Sequence, residues 1–201
     1  MPNRRAYPTP NPHRVECSAV RGVADFDVRA LRFELDAGKL KYMSENAANP
    51  ELMKRAIAIA LENVRNGGGP FGTVIALAGR IVAEGVNRVT ATNDPTAHAE
   101  IVAIRAACAK LSAFQLDGCD LYTTCEPCPM CLGAIYWARP ARVFYASSAG
   151  DAAAAGFDDK FIYDELYLPF AAREISMTQL MREESLLIFT AWKKSENKTE
   201  Y

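Results

Sequence analysis

The sequence predicts an α/β domain of three layers, α/β/α, with helices on both faces of a mixed central sheet. Three observations predict it. A hairpin pattern comes first, and strand–helix–strand alternation follows it. Half of the 201 residues are apolar, ordinary for a globular chain and incompatible with wholesale disorder. The length suits one domain, or one domain with an appendage.

Residues 1–14 carry Pro2, Pro8, Pro10 and Pro12 with little apolar content and read as an extended or disordered arm. Residues 15–42 show no clean period. The expected division is therefore an N-terminal extension over 1–42, disordered or without function, and a domain over 43–201, with Met43 as an alternative start. From Asn49 the chain becomes regular. Asn49-Pro50 predicts a helix cap with proline in the first turn. Leu52, Met53, Ala56, Ile57, Ala60, Leu61 and Val64 continue it at helical spacing, and Gly67-Gly68-Gly69-Pro70 ends it. Gly72–Ala78 and Ile81–Val89 read as two strands turned at Gly79-Arg80. A second helix is expected from Asp94-Pro95-Thr96 to about Leu111, a short strand over Leu121–Thr124, and a third helix from Pro127 to Ala138. Ala141–Ala146 reads as a strand, Asp151–Ala155 as one helical turn, Gly156–Asp159 as a loop, and Arg182–Lys194 as a last helix.

Lys and Arg total 23, Asp and Glu 24, so the net charge is −1 and no overall positive field draws a polyanion. The charge is uneven: eight basic and five acidic residues lie before Met43, 15 and 19 after it. A basic arm touching an anionic partner is the second reading of residues 1–42. No stretch reaches the roughly 20 apolar residues of a membrane-spanning helix, and the arm lacks the apolar run of a secretory signal. Cys17, Cys108 and Cys119 read as ordinary thiols. Reduced thiols imply a cytoplasmic location.

Chemistry concentrates in two places. Cys125, Cys128 and Cys131 fall within seven residues, and only two histidines exist, His13 and His98. The pattern His98-x-Glu100 with Pro127-Cys128-x-x-Cys131 is recognised as the signature of zinc-dependent deaminases. A catalytic zinc takes three protein ligands and keeps one position for water. One imidazole and two thiolates supply three. Cys128 and Cys131 are spaced to face one side of a helical turn, and a helix N-terminus favours thiolate over thiol. Such a site is formally neutral, so it needs a local base to activate water, and Glu100 is the candidate. On a helix, Glu100 is expected to point away from the direction of His98. Cys125 and Cys128 form a second C-x-x-C pair; the proline before Cys128 and the signature favour 128 with 131, which leaves Cys125 as a small buried thiol. A structural zinc is the alternative, with Cys125 or His13 as fourth ligand.

With these motifs the chain resembles the zinc-dependent cytidine/deoxycytidylate deaminase superfamily and, within it, the bacterial enzymes that deaminate guanine. The resemblance covers about residues 43–201. It rests on Gly68–Gly72, Asn93–Glu100, Cys125–Pro140, Gly156-Phe157-Asp158-Asp159 and the terminal Glu200-Tyr201. It implies a cytidine-deaminase-like fold and hydrolysis of guanine to xanthine and ammonia by a zinc-activated water. It assigns zinc (Zn2+) to His98, Cys128 and Cys131, and the proton shuttle to Glu100. Asn87 is expected to hydrogen-bond the purine base, Phe71 to pack on its ring and the Ala99 N–H to contact it. Asp159 is expected to bond the purine and act as a second shuttle. The C-terminal segment is expected to cross to a second copy, where Tyr201 closes the partner's pocket in a swapped homodimer. Met130, Tyr136 and Trp137 read as core on the third helix. Two further readings stay open. One is a deaminase of another purine or nucleoside: guanosine, adenosine in tRNA, or cytosine. The other is a non-catalytic zinc-stabilised interaction module.

Overall fold

The computed structural model describes residues 47–200, together with the backbone of Phe33–Asp36 and Lys39–Tyr42, all within the compact unit Leu31–Tyr201. Those two segments are β1 (Phe33–Asp36) and β2 (Lys39–Tyr42), paired antiparallel with Phe33 opposite Tyr42. Part of the stretch that lacked a period is thus a hairpin. The expectations for the proline-rich arm, His13, Cys17, Met43 and Tyr201 lie outside the described residues.

Helix α1 spans Pro50–Arg65, and its cap is the expected one: the Asn49 side chain accepts from the Glu51 N–H. Strands β3 (Gly72–Leu77) and β4 (Arg80–Val86) form the predicted hairpin. A short helix α2 (Val89–Thr92) and helix α3 (Ala99–Leu111) follow, then β5 (Cys119–Cys125), α4 (Pro129–Ala138) and β6 (Arg142–Ser147). Beyond them come α5 (Ala149–Ala154), α6 (Lys160–Tyr167), a 3-10 turn at Phe170–Ala172 and α7 (Arg182–Lys194).

The sheet order is β4-β3-β5-β6, antiparallel except for the parallel β5–β6 pair. Strand alternation sends side chains to two cores. Val74, Ala76 and Tyr122 meet Leu52, Ala56 and Ile59 of α1 on one face. Ile75, Leu121 and Cys119 meet Ala103 and Ala107 of α3 and Ile135 and Ala138 of α4 on the other. Each buried aliphatic there contributes about 1.5–3 kcal/mol. This is the three-layer mixed-sheet fold that the sequence predicts.

Two glycines set the layer spacing. A Cβ on Gly72 would lie 2.4 Å from the Ala56 carbonyl oxygen of α1. A Cβ on Gly85 would lie 2.3 Å from the Ala99 carbonyl oxygen of α3. Helix backbone therefore lies directly on strand backbone on both faces.

Three expectations need correction. Helix α3 starts at Ala99, not at Asp94, because the Asp94 carboxylate folds back to accept from both the Thr96 N–H and its hydroxyl, closing a turn. Strand β4 ends at Val86, because Asn87 leaves the ladder and its side chain accepts from the Val89 N–H. Tyr136 and Trp137 are 75% and 64% exposed, not core, because α4 faces inward through Cys131, Ile135 and Ala138. Met130 is half-buried. Helix α6 is an element the sequence pattern left unassigned. The loop at 156–159 and the last helix are as expected.

Candidate active site

A cavity of about 280 Å³ opens at the end of the sheet where β4 and β5 finish and β3 begins. Its lining includes Phe71, Asn87, His98, Glu100, Cys128 and Asp159. Six residues expected at the site are thus brought together from five separate stretches of chain.

Both metal-binding motifs sit at helix N-termini, one residue earlier than helical geometry would place them. His98 is the N-cap of α3 and Cys128 the N-cap of α4, each with extended backbone. Their side chains consequently project past the ends of the two helices toward one point. This alters the expected relation of His98 to Glu100. His98 stands outside the helix, so Glu100 in the first turn of α3 lines the same cavity instead of pointing away. Two helix N-termini also converge there with their partial positive charge, which favours thiolate.

His98, Cys128 and Cys131 form a group able to hold a metal, with donor atoms within 4.8 Å of one another. The distances fit zinc closely. A tetrahedral site with Zn–N about 2.0–2.1 Å and Zn–S about 2.3 Å separates nitrogen from sulfur by about 3.6 Å. His98 Nδ1 lies 3.6 Å from Cys128 Sγ and 3.5 Å from Cys131 Sγ. Hydrogen bonding from Cys131 lowers the Cys128 thiol to about 4, and the His98 hydrogen bond adds to it. Cys131 is raised as the donor of that hydrogen bond and by burial. A dication held by His98, Cys128 and Cys131 would take both sulfurs as thiolates. His98 is raised, chiefly by its hydrogen bond to Cys128. Among the described residues no fourth protein ligand joins the group. Cys125 is buried at the end of β5, its Sγ 3.6 Å from the Ser148 carbonyl oxygen, and burial holds it protonated up to about 11. Three ligands with an open position is the arrangement of a reactive zinc, not of a closed structural one.

A profile described as the cytidine and deoxycytidylate deaminase zinc-binding region matches residues 47–147, half of the chain. The chain belongs to the cytidine and deoxycytidylate deaminase family. Its members range in substrate. Guanine deaminase of Bacillus subtilis is 59% identical over 150 residues, 74% of this chain and 96% of that one. The X-ray structure of Bacillus subtilis guanine deaminase superposes with a TM-score of 0.75 at 57% identity, covering 77% of this chain and 99% of that chain. A tRNA-specific adenosine deaminase of Agrobacterium fabrum is 50% identical over 78 residues, 39% of this chain and 51% of that one. Zinc is the metal of this deaminase domain.

Glu100 is buried, which pushes its carboxyl up, and the charge at Cys128 pushes the same way. Cys131 acts the other way and lowers it. Asp159 is raised by burial, then by Cys128. Asn87 is held on three sides: its N–H donates to the Phe71 carbonyl (3.1 Å), its carbonyl accepts from Asn63 Nδ2 (2.9 Å), and its Oδ1 accepts from the Val89 N–H (3.2 Å). Only the side-chain NH2 of Asn87 lacks a partner among the described residues, so this residue offers the cavity a donor. Phe71 meets Phe157 edge to face, ring centroids 5.0 Å apart. Ala99 is fully buried at the first position of α3, where its N–H has no intrahelical partner.

Three residues of the cavity wall, and one behind it, carry no assignment from sequence. Phe157 and Asp158 line the cavity from the 156–159 loop, where the motif alone assigns them no role. Glu126 lines it as well and accepts from the Ala149 N–H at 3.1 Å, tying β5 to the start of α5. Its place between Cys125 and Cys128 was the available signal. Asn63 had none. Among the described residues no helix is long and apolar enough to cross a membrane.

Proposed function

We propose that this chain hydrolyses guanine to xanthine and ammonia. The substrate rests on one observation, 59% identity with Bacillus subtilis guanine deaminase across 96% of that enzyme. The reaction class rests on the cavity, where a zinc-competent triad and a buried carboxyl share one space. Its volume, about 280 Å³, lies just below the roughly 300–1,000 Å³ typical of small-molecule pockets, in keeping with a free base.

In this reading His98, Cys128 and Cys131 hold the zinc, which when bound acidifies a water for attack on the carbon bearing the amino group. The Glu100 carboxylate takes a proton from that water at its oxygen and delivers it to the departing amine. Its raised affinity for protons suits both halves of this task. The Asn87 NH2 donates to an acceptor of the purine, and the Ala99 N–H offers a second donor. Phe71, braced by Phe157, covers a face of the ring and excludes water. Asp159 accepts from the purine and serves as second shuttle.

The catalytic unit we propose is residues 43–201, acting as a homodimer with exchanged C-terminal segments. Support comes from α6 and α7, which carry Phe161, Tyr167, Leu187, Ile188, Phe189 and Trp192 exposed. Tyr201 of one copy closes the pocket of the other. All five described cysteines are free, in keeping with a cytoplasmic, reducing compartment.

Ammonia release by the zinc-loaded protein tests this reading, with guanine, guanosine, adenine, adenosine, cytosine and cytidine offered in parallel. Release from guanine is expected. Release from another member alone overturns the substrate and keeps the chemistry. Silence across the panel with zinc bound overturns both, in favour of tRNA or a non-catalytic module.

A further inference from the structure

We infer that Asn63, a residue of α1 outside the cavity, is the positioning residue that fixes Asn87 for reading the purine. The inference rests on the proposed function through the role of Asn87. Asn63 lines a different groove, with Arg55, Glu62 and Arg88, and cannot touch a molecule in the cavity.

Its amide reaches across instead. Asn63 Nδ2 donates one hydrogen to the Gly69 carbonyl at 2.8 Å and the other to the Asn87 carbonyl at 2.9 Å. Both amide hydrogens are therefore spent on backbone, adding to the single bond from the Asn87 N–H to the Phe71 carbonyl where the two segments leave the β3–β4 ladder. The backbone carbonyl of Asn63 meanwhile accepts from the Gly68 N–H at 2.8 Å. The glycines around it are shaped to this contact. A Cβ on Gly68 would stand 2.4 Å from Asn63 Nδ2, and a Cβ on Gly69 3.0 Å from Asn87 Cγ. A side chain at 68 would displace the Asn63 amide, and one at 69 would crowd Asn87.

The consequence falls on Asn87, which has left the β4 ladder. The Phe71 carbonyl fixes its N–H, Asn63 fixes its carbonyl, and the Val89 N–H fixes which end of its amide is oxygen. Removing Asn63 leaves two carbonyls without donors beside a loop of three consecutive glycines, the segment with most conformational freedom to regain. Asn87 then presents its NH2 to the substrate for only part of the time. Binding suffers, while Glu100 and the metal ligands, held by α3 and α4, keep their places.

A double-mutant cycle on the full zinc-loaded chain tests this: Asn63→Ala, Asn87→Ala and both together, with KM, kcat and zinc content measured for guanine. Asn63→Ala is expected to raise KM by about tenfold or more with kcat within about threefold. Added to Asn87→Ala it should change KM less than about threefold, because its effect travels through Asn87. An unchanged KM in Asn63→Ala, or a full effect persisting without Asn87, overturns the inference and points to a merely structural asparagine. If Asn63→Ala does not fold, Asn63→Gln, which keeps the amide one methylene further out, takes its place in the cycle with the same two criteria. If the unaltered protein does not release ammonia from guanine, the proposed function fails. The inference is then judged by hydrogen exchange at the Asn87 N–H, which must accelerate in the variant and is overturned if it does not.

Discussion

Glu100 shares its surroundings with two sulfurs, a histidine and little water, and both burial and the charge at Cys128 raise its carboxyl. A carboxyl so placed holds a proton more readily than a surface glutamate does. Glu100→Gln keeps the shape and removes the exchange. We expect zinc content to stay at the level of the unaltered protein, since the donor set is one nitrogen and two sulfurs, and kcat on guanine to fall by about 100- to 10,000-fold. A near-normal rate in the metal-replete variant would remove Glu100 from the mechanism. At this scale the sequence was most legible where residue types were scarce. A zinc site using imidazole could choose only between His98 and His13, and the cysteine spacing narrowed the rest. Asn87 and Asp159 came through resemblance alone, because an isolated asparagine or aspartate announces nothing. Asn63 was invisible. It acts on the carbonyls of residues six and 24 positions away, and such hydrogen bonds leave no local pattern.

Elements place the chemistry by how their ends are aimed. Helix α3 lies so close to β4 that a Cβ on Gly85 would meet the Ala99 carbonyl oxygen at 2.3 Å and the Ala103 nitrogen at 2.5 Å. These atoms are helix backbone and cannot swing aside. Gly85→Ala must therefore push the first turn of α3, with His98 at its cap and Glu100 within it, away from the sheet. The expected cost is about 1–3 kcal/mol of stability, together with a fall in kcat/KM at unchanged protein concentration. Gly133 in the middle of α4 is the matched control, since a Cβ there meets nothing within 4 Å. Gly133→Ala should raise stability by up to about 1 kcal/mol through helix propensity. Thermal melts of both variants decide it; equal melting temperatures would mean that the β4–α3 approach carries no constraint. Helix α3 is also where the element reading slipped. Asp94-Pro95-Thr96 has the composition of a helix start, and Asp94 does cap a backbone N–H, but of a turn. The same side-chain chemistry serves both ends, and sequence does not say whether helical dihedrals follow. The last helix was legible to the residue, because its apolar positions are bounded by Glu183-Glu184 in the first turn and Lys193-Lys194 in the last.

For the whole molecule the informative feature is apolar surface turned outward. Leu187, Ile188 and Phe189 of α7 are exposed, as are Tyr136 and Trp137 of α4 and Tyr145 of β6. A lone soluble chain rarely leaves so many large side chains in water, and a second copy is the cheapest cover. Residue patterning does not supply the partner, because an amphipathic pattern shows that a face is to be buried without showing against which chain; the expectation of a second copy comes from resemblance alone. In the proposed exchange of C-terminal segments, each pocket would take Glu100 from one chain and Tyr201 from the other. Glu100→Gln and a chain lacking Tyr201 should each be inactive alone. Unfolded together in equal amounts, refolded and reloaded with zinc, they should regain activity. In half of the dimers one pocket pairs the intact Glu100 of the truncated chain with the intact Tyr201 of its partner. That gives about a quarter of the unaltered specific activity for random pairing of a twofold dimer. A mixture no more active than the mean of its two parents would show that each pocket is completed within a single chain.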